Sequence, residues 1–131
     1  MRLCEQSLAV IHVVTNKEII KKLSTCSKYT GFTKDAPLII VPCMKNDTIA
    51  PEYSRVDVAA SVENILLEAT ELDLGATWCA VEPDDTRIQN VRDVLDIPQT
   101  LTPFSIVGIG YPKEKKPQQN RYEVERIHYV K

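Results

Sequence analysis

The longest periodic segment of the chain, residues 54–74, most restricts the folds that it can adopt. Apolar side chains recur there at intervals of three and four, which is the spacing of one face of an α-helix. They are Val58, Val62, Ile65, Leu66, Ala69 and Leu72. Gly75 follows the segment, at the place where a left-handed glycine commonly ends a helix. We expect a helix of this length and apolarity to be central, with packing on more than one side.

Short apolar runs on either side of this helix predict buried strands. They span residues 8–14, 36–43, 76–81 and 104–110. Pro42 lacks the N–H group that a strand ladder uses, so we expect it near a strand end or on an edge. In a last segment, residues 125–130, polar and apolar side chains alternate enough to predict a short strand at the end of the sequence.

A shorter helix is predicted between the first two strands, over residues 17–29. Either Thr15 or Asn16 can accept hydrogen bonds from the N–H groups of its first turn. The face that it would bury consists of Ile19, Ile20, Leu23 and Cys26.

A third helix is predicted after the strand at residues 76–81. Asp84 can cap its start, and the dipeptide Ile97-Pro98 ends it. Its buried side would consist of Ile88, Val91, Val94 and Leu95.

The predicted elements therefore alternate as strand, helix, strand, helix, strand, helix, strand and tail. This order indicates a layered α/β or α+β domain. The 131 residues suffice for one compact domain, so we expect residues 1–131 to form a single domain.

The charge balance excludes several classes of partner. Lys and Arg number 16 against 18 Asp and Glu, a net charge of -2 that gives no field to attract nucleic acid. The basic cluster Lys113, Lys115 and Lys116 is typical of a solvated loop, and the alternative is a phosphate-facing role. No apolar run is long enough to span a bilayer, and the first residues make a poor signal peptide. The expected location is the cytoplasm, with no membrane partner.

Metal and thiol chemistry also find no framework. The 4 cysteines form no C-x-x-C pair, and the 2 histidines, His12 and His128, complete no zinc pattern. Cysteines in a cytoplasmic protein are mostly reduced and buried, and nothing in the sequence links either histidine to one of them. We therefore assign no metal ligand and no catalytic residue, and the residues alone name no reaction.

The ordered series of segments nevertheless resembles the nitroreductase family from about residue 11 to the end. The segments are DVAASVENILLEATELDLGATWCAV, VRDVLDIP, FSIVGIGYP and NRYEVERIHY. The positions that match the family pattern are Asp57, Ala59, Ala60, Asn64, Leu66, Leu67, Ala69, Leu72, Leu74, Gly75, Trp78, Leu95, Ile97, Pro98, Gly110, Tyr111 and Pro112. No one of these segments is unique to the family, but their order is specific.

The resemblance implies a fold and an activity. The fold is α+β, a three-layer α/β/α sandwich whose central, mixed but mostly antiparallel sheet surrounds a long central helix. The activity is that of a homodimeric flavoprotein oxidoreductase, with FMN at the subunit interface. Hydride passes from NAD(P)H to FMN and then to a small-molecule acceptor, such as a nitroaromatic compound or a quinone. The flavin carries the chemistry, and the protein binds and orients it.

The resemblance also implies which residues bind the cofactor. The segment Trp78, Cys79, Ala80 and Val81 resembles the family strand whose backbone faces the N5 edge of the flavin. The family often has glycine where this chain has Ala80 or Val81, so a side chain there can crowd the ring. The alternative interpretation of Trp78 and Cys79 is that they are ordinary core residues of a strand.

Arg121 matches the arginine of a family K-x-R pair that meets the flavin phosphate. A guanidinium suits a phosphate because its N–H groups can bind two oxygens at once. Gln119 replaces the lysine of the pair. The alternative for Arg121 is a solvated surface residue, and Asn64 is expected to bond to backbone, not to flavin.

The beginning of the chain departs from the family pattern, so the resemblance describes an N-terminally shortened member. The R-x-S-x-R helix that grips the FMN phosphate finds no counterpart, and the positions of the family N-x-Q-P-W segment hold Glu5, Ser7, Leu8 and Ala9. FMN occupancy is therefore in doubt. The alternative function is a flavin-free, non-catalytic relative that serves as a dimeric binding or structural protein.

Absence of the first family helix would also leave apolar surface on the long helix. We expect a dimer to cover this surface. The strand predicted at residues 125–130 would then cross to the partner and extend its sheet.

Overall fold

The computed structural model describes residues 9–114, 117 and 119–130. Glu5, Ser7, Leu8, Lys115 and Lys116, on which several sequence-based predictions depend, lie outside this part. Among the described residues the strands are β1 Ala9–Val14, β2 Leu38–Lys45, β3 Gly75–Ala80, β4 Leu101–Pro103 and β5 Ser105–Gly110. The α-helices are α1 Lys17–Leu23, α2 Pro51–Glu71 and α3 Asp85–Leu95, and short 3₁₀ helices span Gly31–Asp35 and Val124–Arg126.

The strands form one sheet in the order β1-β2-β5-β3, with β4 paired to β2 beside β5. All pairings between the described strands are antiparallel. The predicted α+β class with a mostly antiparallel sheet is therefore confirmed. Because β3 ends this order, one of its two edges has no strand neighbour in the described protomer.

Helices cover both faces of the sheet and so make three layers. On one face, Ile20 and Leu23 of α1 and Val91 of α3 belong to a buried cluster with residues of the sheet. On the other face, Val58 and Val62 of α2 pack against Val107, Ile109 and their neighbours. Alternate residues of β3 consequently contact different layers: Cys79 faces the α1 and α3 side, and Trp78 faces α2.

Side-chain caps start α1 and α3 as predicted. The Asn16 side chain accepts hydrogen bonds from the N–H groups of Glu18 and Ile19 at 3.0 and 3.2 Å. The Asp84 side chain accepts one from the Arg87 N–H at 3.0 Å. The helix α1 ends at Leu23, earlier than the predicted residue 29. The hydroxyl of Ser24 there donates to the Lys21 carbonyl oxygen, which offers the backbone an alternative to further helix.

The prediction that Gly75 ends the long helix in a left-handed conformation is wrong. Asp73 takes that conformation, with φ 57°, and Gly75 is the first residue of β3. The N–H of Leu74 donates to the Ala69 carbonyl oxygen at 2.8 Å, and the N–H of Asp73 to that of Thr70 at 3.1 Å. This pair of bonds is the Schellman motif, in which a left-handed residue lets two helix carbonyls find partners. Aspartate tolerates the conformation better than most side chains, so no glycine is needed.

The prediction that Pro42 lies near a strand end or on an edge is also wrong. The residue lies in the middle of β2, which has strands on both sides. Its carbonyl oxygen accepts a bond from the Phe104 N–H at 2.9 Å. The N–H and C=O groups of one strand residue point the same way, so the missing N–H faces the junction of β4 and β5. The ladder between β2 and β5 ends at Ile40 and that between β2 and β4 begins at Cys43, so the proline removes no regular bond.

The strand predicted at residues 125–130 does not form in the described protomer. Val124–Arg126 is a single 3₁₀ turn, and residues 127–130 join no described strand. Tyr122, Val124 and Tyr129 are exposed. An alternating sequence needs a partner strand before it becomes a sheet, and no free edge of the protomer takes this segment.

Among the described residues of one protomer, the helix α2 buries one face, and the expected packing on a further side is not present. Ser54, Val58, Val62 and Ala69 are buried against the sheet. An opposite stripe is open to solvent, and it contains Tyr53, Val56, Ala60 and Leu67. Leu72, which was predicted to lie in the buried stripe, is 60% exposed. No described helix is long and apolar enough to cross a membrane.

Candidate functional site

The outer edge of β3 is the candidate site, because it holds the residues predicted to face the cofactor. The strand pairs with β5 on its inner side, in the register Trp78 with Val107, Cys79 with Ile106 and Ala80 with Ser105. Its other side meets no described strand. Backbone N–H groups that point to this side can donate to a ligand, since no ladder uses them.

Hydrogen bonds identify Ala80 as a residue whose backbone points outward. Its carbonyl oxygen accepts a bond from Nη1 of Arg87, a residue of α3, at 3.2 Å. In an antiparallel ladder the N–H and C=O of one residue share a direction, and successive residues alternate. The N–H groups of Ala80 and Trp78 therefore point away from β5, and those of Cys79 and Val81 point toward it.

A bulge follows directly after β3. The N–H groups of Val81 and Glu82 both donate to the carbonyl oxygen of Phe104, each at 3.1 Å. Two residues thus oppose one, which is the pattern of a β-bulge. The Val81 N–H is occupied, so within the predicted segment the open donors are those of Trp78 and Ala80.

The side chains of this segment divide between core and solvent. Trp78 is half-buried, with its ring centroid 5.6 Å from that of Phe104, and Cys79 and Val81 are buried in the core. The side chain of Cys79 therefore belongs to the core, whereas that of Trp78 is only partly covered. Ala80 is exposed and Val81 is buried, so of the two candidate positions for the expected glycine only Ala80 presents a side chain to solvent.

A buried hydroxyl without a partner lies beside Ala80. Ser105 is fully buried, and its Oγ is the single buried side-chain oxygen or nitrogen of the described residues that makes no hydrogen bond. Ser105 and Ala80 are register partners, and cross-strand partners place their side chains on the same face of the sheet. The sequence held no sign of this feature, because a lone serine in an apolar strand is usual.

Polar groups of α2 and α3 complete the surroundings of the edge. Arg87 bonds to Ala80, pairs with Asp84 at 3.3 Å and lies 5.4 Å from the centre of the Tyr29 ring. Glu82 forms a two-point ion pair with Arg55 from the first turns of α2. No sequence motif indicated Arg87, Glu82 or Arg55 as site residues, because their contacts with β3 and with one another form only when the chain folds.

Arg121, the other predicted cofactor residue, lies apart from β3 in its contacts. Its Nε and Nη2 atoms donate to Oε1 of Gln119 at 3.2 and 2.8 Å. It lines a shallow groove with Gln119, Asn120 and Tyr122, and it is exposed. No described contact joins it to the segment at Trp78–Val81, so the protomer does not bring the two predicted parts of the site together.

The cysteines of the described chain are poorly suited to nucleophilic chemistry. Burial raises the pKa of the Cys43 thiol to about 12, although Arg92 opposes the shift, and burial and the Asp93 charge raise that of Cys26 to about 11. Cys43 Sγ lies 3.6 Å from Nδ1 of His12. A thiol with so high a pKa holds its proton near neutral pH and is a weak nucleophile. No group of described residues has the composition of a metal site.

The outward N–H groups of β3 are suited to bind the ring of a flavin. A donor to the N5 edge of a flavin would have to point outward from the strand, as the Ala80 N–H does, whereas the hydroxyl of Ser105 is fully buried and is not open to a ligand. The phosphate of FMN needs a cation, and Arg121 does not supply it at this place in the described protomer. The outward N–H groups of Trp78 and Ala80 would hold the ring, and the flavin would supply the hydride chemistry.

Comparison with known proteins identifies relatives over most of the chain. The nitroreductase family model matches residues 5–111. A protein of Methanothermobacter thermautotrophicus, provisionally named NADH dehydrogenase/NAD(P)H nitroreductase, is 34% identical over 120 residues, which is 91% of this chain and 63% of the relative. The chain therefore spans less than two thirds of that relative. A protein of Archaeoglobus fulgidus with the same provisional name is 34% identical over 124 residues, 91% of this chain and 71% of its own.

Solved structures agree in fold. A protein of Clostridium acetobutylicum, provisionally named NADH oxidase, superimposes with a TM-score of 0.88 and 36% identity, over 94% of this chain and 75% of its own. An FMN-dependent nitroreductase of Clostridium difficile superimposes with a TM-score of 0.86 and 27% identity, over 98% and 81%. The family match covers far more than half of the sequence, and the sheet, helices and β3 edge lie within it. The chain is a member of the nitroreductase family.

Proposed function

We propose that the chain is the subunit of an FMN-dependent oxidoreductase that passes hydride from NAD(P)H through the flavin to a small acceptor, such as a nitroaromatic compound or a quinone. The observation that carries the proposal is the unpaired outer edge of β3 with the exposed Ala80. The family and the names of the relatives support the reaction class, and the edge supports the place where the flavin binds.

In this proposal the backbone of β3 positions the ring. The Ala80 N–H would donate to the N5 edge of a bound flavin, where it would orient the ring and make N5 a better acceptor of hydride. The bulge at Val81 and Glu82 turns the chain away directly afterward, so the ring meets an open edge. FMN would supply the hydride chemistry when bound, and the open edge of β3 would leave the ring accessible to the reductant and to the acceptor.

A homodimer is part of the proposal. The stripe at Tyr53, Val56, Ala60 and Leu67 leaves apolar side chains in water, and exposed apolar patches of this kind mark interfaces. A neighbouring cavity of about 490 Å³ has a mostly apolar lining that includes Ile65 and Leu72. A second copy that covers these surfaces could also bring its Arg121 to the phosphate of a flavin bound at β3. The expected result of light scattering after gel filtration is a mass of two chains.

Anaerobic spectroscopy tests the activity. Protein loaded with FMN is mixed with NADH or NADPH, and the absorbance of oxidised flavin is followed. The proposal expects bleaching by at least one of the two reductants and recovery when a quinone or nitroaromatic compound is added. Flavin that stays oxidised on the protein with both reductants would contradict the proposed reaction.

A further inference from the structure

Arg55 and Glu82 form an ion pair that the proposed reaction leaves without a purpose. The Nε atom of Arg55 donates to Oε2 of Glu82 at 3.0 Å, and Nη2 donates to Oε1. Two parallel bonds fix the plane of the guanidinium, which a single bond does not do. The pair joins the first turns of α2 to the bulge after β3, so it stands two residues from Ala80 in the chain.

The two partners differ sharply in exposure. The Glu82 side chain is 8% exposed, and the Arg55 side chain is 64% exposed. A ligand at this end of β3 therefore meets the guanidinium and not the carboxylate. A buried carboxylate needs a partner, and Arg55 supplies one while most of its side chain stays in solvent.

The guanidinium keeps donors for a ligand. Arginine has five N–H groups, and the bonds to Glu82 use one on Nε and one on Nη2. No described residue accepts a bond from Nη1. Arg55 thus presents a fixed fork with unused N–H groups to solvent, and phosphate oxygens match such a fork in two-point geometry.

Other charges near this end of β3 are already engaged. The Arg87 guanidinium is committed to the Ala80 carbonyl oxygen and to Asp84. Asp84 in turn caps α3 through the Arg87 N–H. The Arg87 side chain is also less accessible, 26% exposed against 64% for Arg55, so within the part of the chain that the structure describes Arg55 is the more open of these two cations to a ligand.

We infer that Arg55, oriented by Glu82, binds a phosphate group of a ligand at the β3 edge. The inference rests on the proposed function, in which two ligands carry phosphate: FMN and NAD(P)H. Both offer the same chemistry to the guanidinium. Glu82 acts through Arg55 as a positioning residue, because its carboxylate is turned away from the ligand side.

The test compares the wild-type protein with Arg55→Gln, which keeps hydrogen-bond donors and loses the charge. Dissociation constants are measured for FMN, for riboflavin, which lacks the phosphate, for NADH and for inorganic pyrophosphate. Arg126→Gln is the matched control, because Arg126 is also exposed and paired with a carboxylate, that of Glu123, but stands in the tail. Arg55→Lys keeps the charge without the fork, so it should recover part of the affinity.

The expected result is a loss of roughly ten- to a hundredfold in affinity for one phosphate ligand in Arg55→Gln, as for one charge-assisted bond. If FMN weakens and riboflavin does not, the phosphate is that of the flavin. If NADH and pyrophosphate weaken and FMN does not, it belongs to the reductant. Arg126→Gln should bind FMN, riboflavin, NADH and pyrophosphate with the same affinities as the wild-type protein.

Equal affinities of wild type and Arg55→Gln for every phosphate ligand would overturn the inference. Failure of the proposed function has a different signature, which is a wild-type protein that binds neither FMN nor riboflavin. The pyrophosphate and NADH measurements then still decide: binding that depends on Arg55 supports the phosphate subsite, and binding that is absent or independent of Arg55 overturns it. Dissociation constants are compared only between proteins that unfold cooperatively on heating, so that a loss of fold is not counted as a loss of affinity.

Discussion

The Nη1 atom of Arg87 lies 3.2 Å from the carbonyl oxygen of Ala80, and this bond ties the first turns of α3 to the outer edge of β3. The same guanidinium pairs with Asp84 and lies 5.4 Å from the centre of the Tyr29 ring. The edge that we assign to the flavin is therefore held from outside by a side chain as well as from inside by β5.

Arg87→Ala should loosen this edge. Loss of the bond to Ala80 and of the Asp84 pair should lower the free energy of unfolding by about 1 kcal/mol, measured in urea. Amide exchange should speed up over β3 more than over β1. Arg87→Lys keeps the charge near Tyr29, so it should retain part of the stability and part of the protection of β3 from amide exchange. Unchanged stability and exchange in Arg87→Ala would show that the bond does not fix the edge.

The unpartnered hydroxyl of Ser105 leads to a stabilising prediction. Removal of a buried hydroxyl that makes no bond should raise the free energy of unfolding of flavin-free Ser105→Ala by about 1 kcal/mol. Ser54→Ala is the control, since Ser54 is also buried but its Oγ lies 3.4 Å from Oγ1 of Thr48. That variant should be less stable than wild type. A Ser105→Ala protein that unfolds more easily than wild type would mean that the hydroxyl has a partner.

Gly108 is required by the close approach of the 3₁₀ helix Gly31–Asp35. A Cβ atom at Gly108 would lie 2.9 Å from Cγ2 of Thr33, which is fully buried. Gly108→Ala should therefore lower the free energy of unfolding by about 1–3 kcal/mol. Gly31→Ala, where nothing lies within 4 Å of the added atom, should not show this loss.

A second substitution checks the cause of that loss. Thr33→Ser removes Cγ2 and keeps the hydroxyl that donates to the Thr30 carbonyl oxygen. The double variant Gly108→Ala/Thr33→Ser should regain most of the stability lost in Gly108→Ala. A double variant whose losses simply add would show that contact with Thr33 is not the reason.

The buried thiols predict how stability depends on pH. Burial raises the pKa of Cys26 to about 11 and that of Cys43 to about 12, above the ordinary value of 9.0 that we take for the unfolded chain. The folded state holds these protons more tightly, so the stabilisation is complete below pH 9.0 and is lost as pH rises toward 12. Urea unfolding from pH 8 upward should show this decline.

Alkylation gives an independent check of the same prediction. Cys26, Cys43 and Cys79 are buried, so iodoacetamide at neutral pH should modify them only after unfolding, as followed by mass spectrometry of peptides. Rapid labelling of Cys43 in folded protein would contradict both the burial and the raised pKa.

Much of the fold could be predicted because its elements are locally encoded. The apolar stripe of α2, the caps Asn16 and Asp84 and the apolar runs of the strands each depend on neighbours in sequence. The errors lie where distant residues decide. Pro42 is tolerated inside the sheet only because β4 and β5 part opposite it, and Asp73 replaces Gly75 because the helix end is completed by the bonds of Leu74 and Asp73.

The candidate site was predictable only in part. Family resemblance selected the segment at Trp78, Cys79, Ala80 and Val81, but the direction of each N–H depends on the pairing with β5 and on the bulge at Phe104. Those contacts leave Ala80 and Trp78 as open donors. Arg121 carries no local signal of its position, because a charged tail without a sheet partner has many arrangements.

Whether FMN binds at the outer edge of β3 is tested most directly by titrating wild-type protein and Ala80→Pro with FMN. Binding is followed by flavin fluorescence. The Ala80 N–H points away from β5, so proline there removes no ladder bond and the fold should survive. We expect wild-type protein to bind FMN saturably, with micromolar affinity or tighter, and Ala80→Gly to bind it similarly. The affinity of Ala80→Pro for FMN should be lower by at least about tenfold. Wild-type protein that binds no FMN, or Ala80→Pro that binds as tightly as wild type, would contradict this expectation.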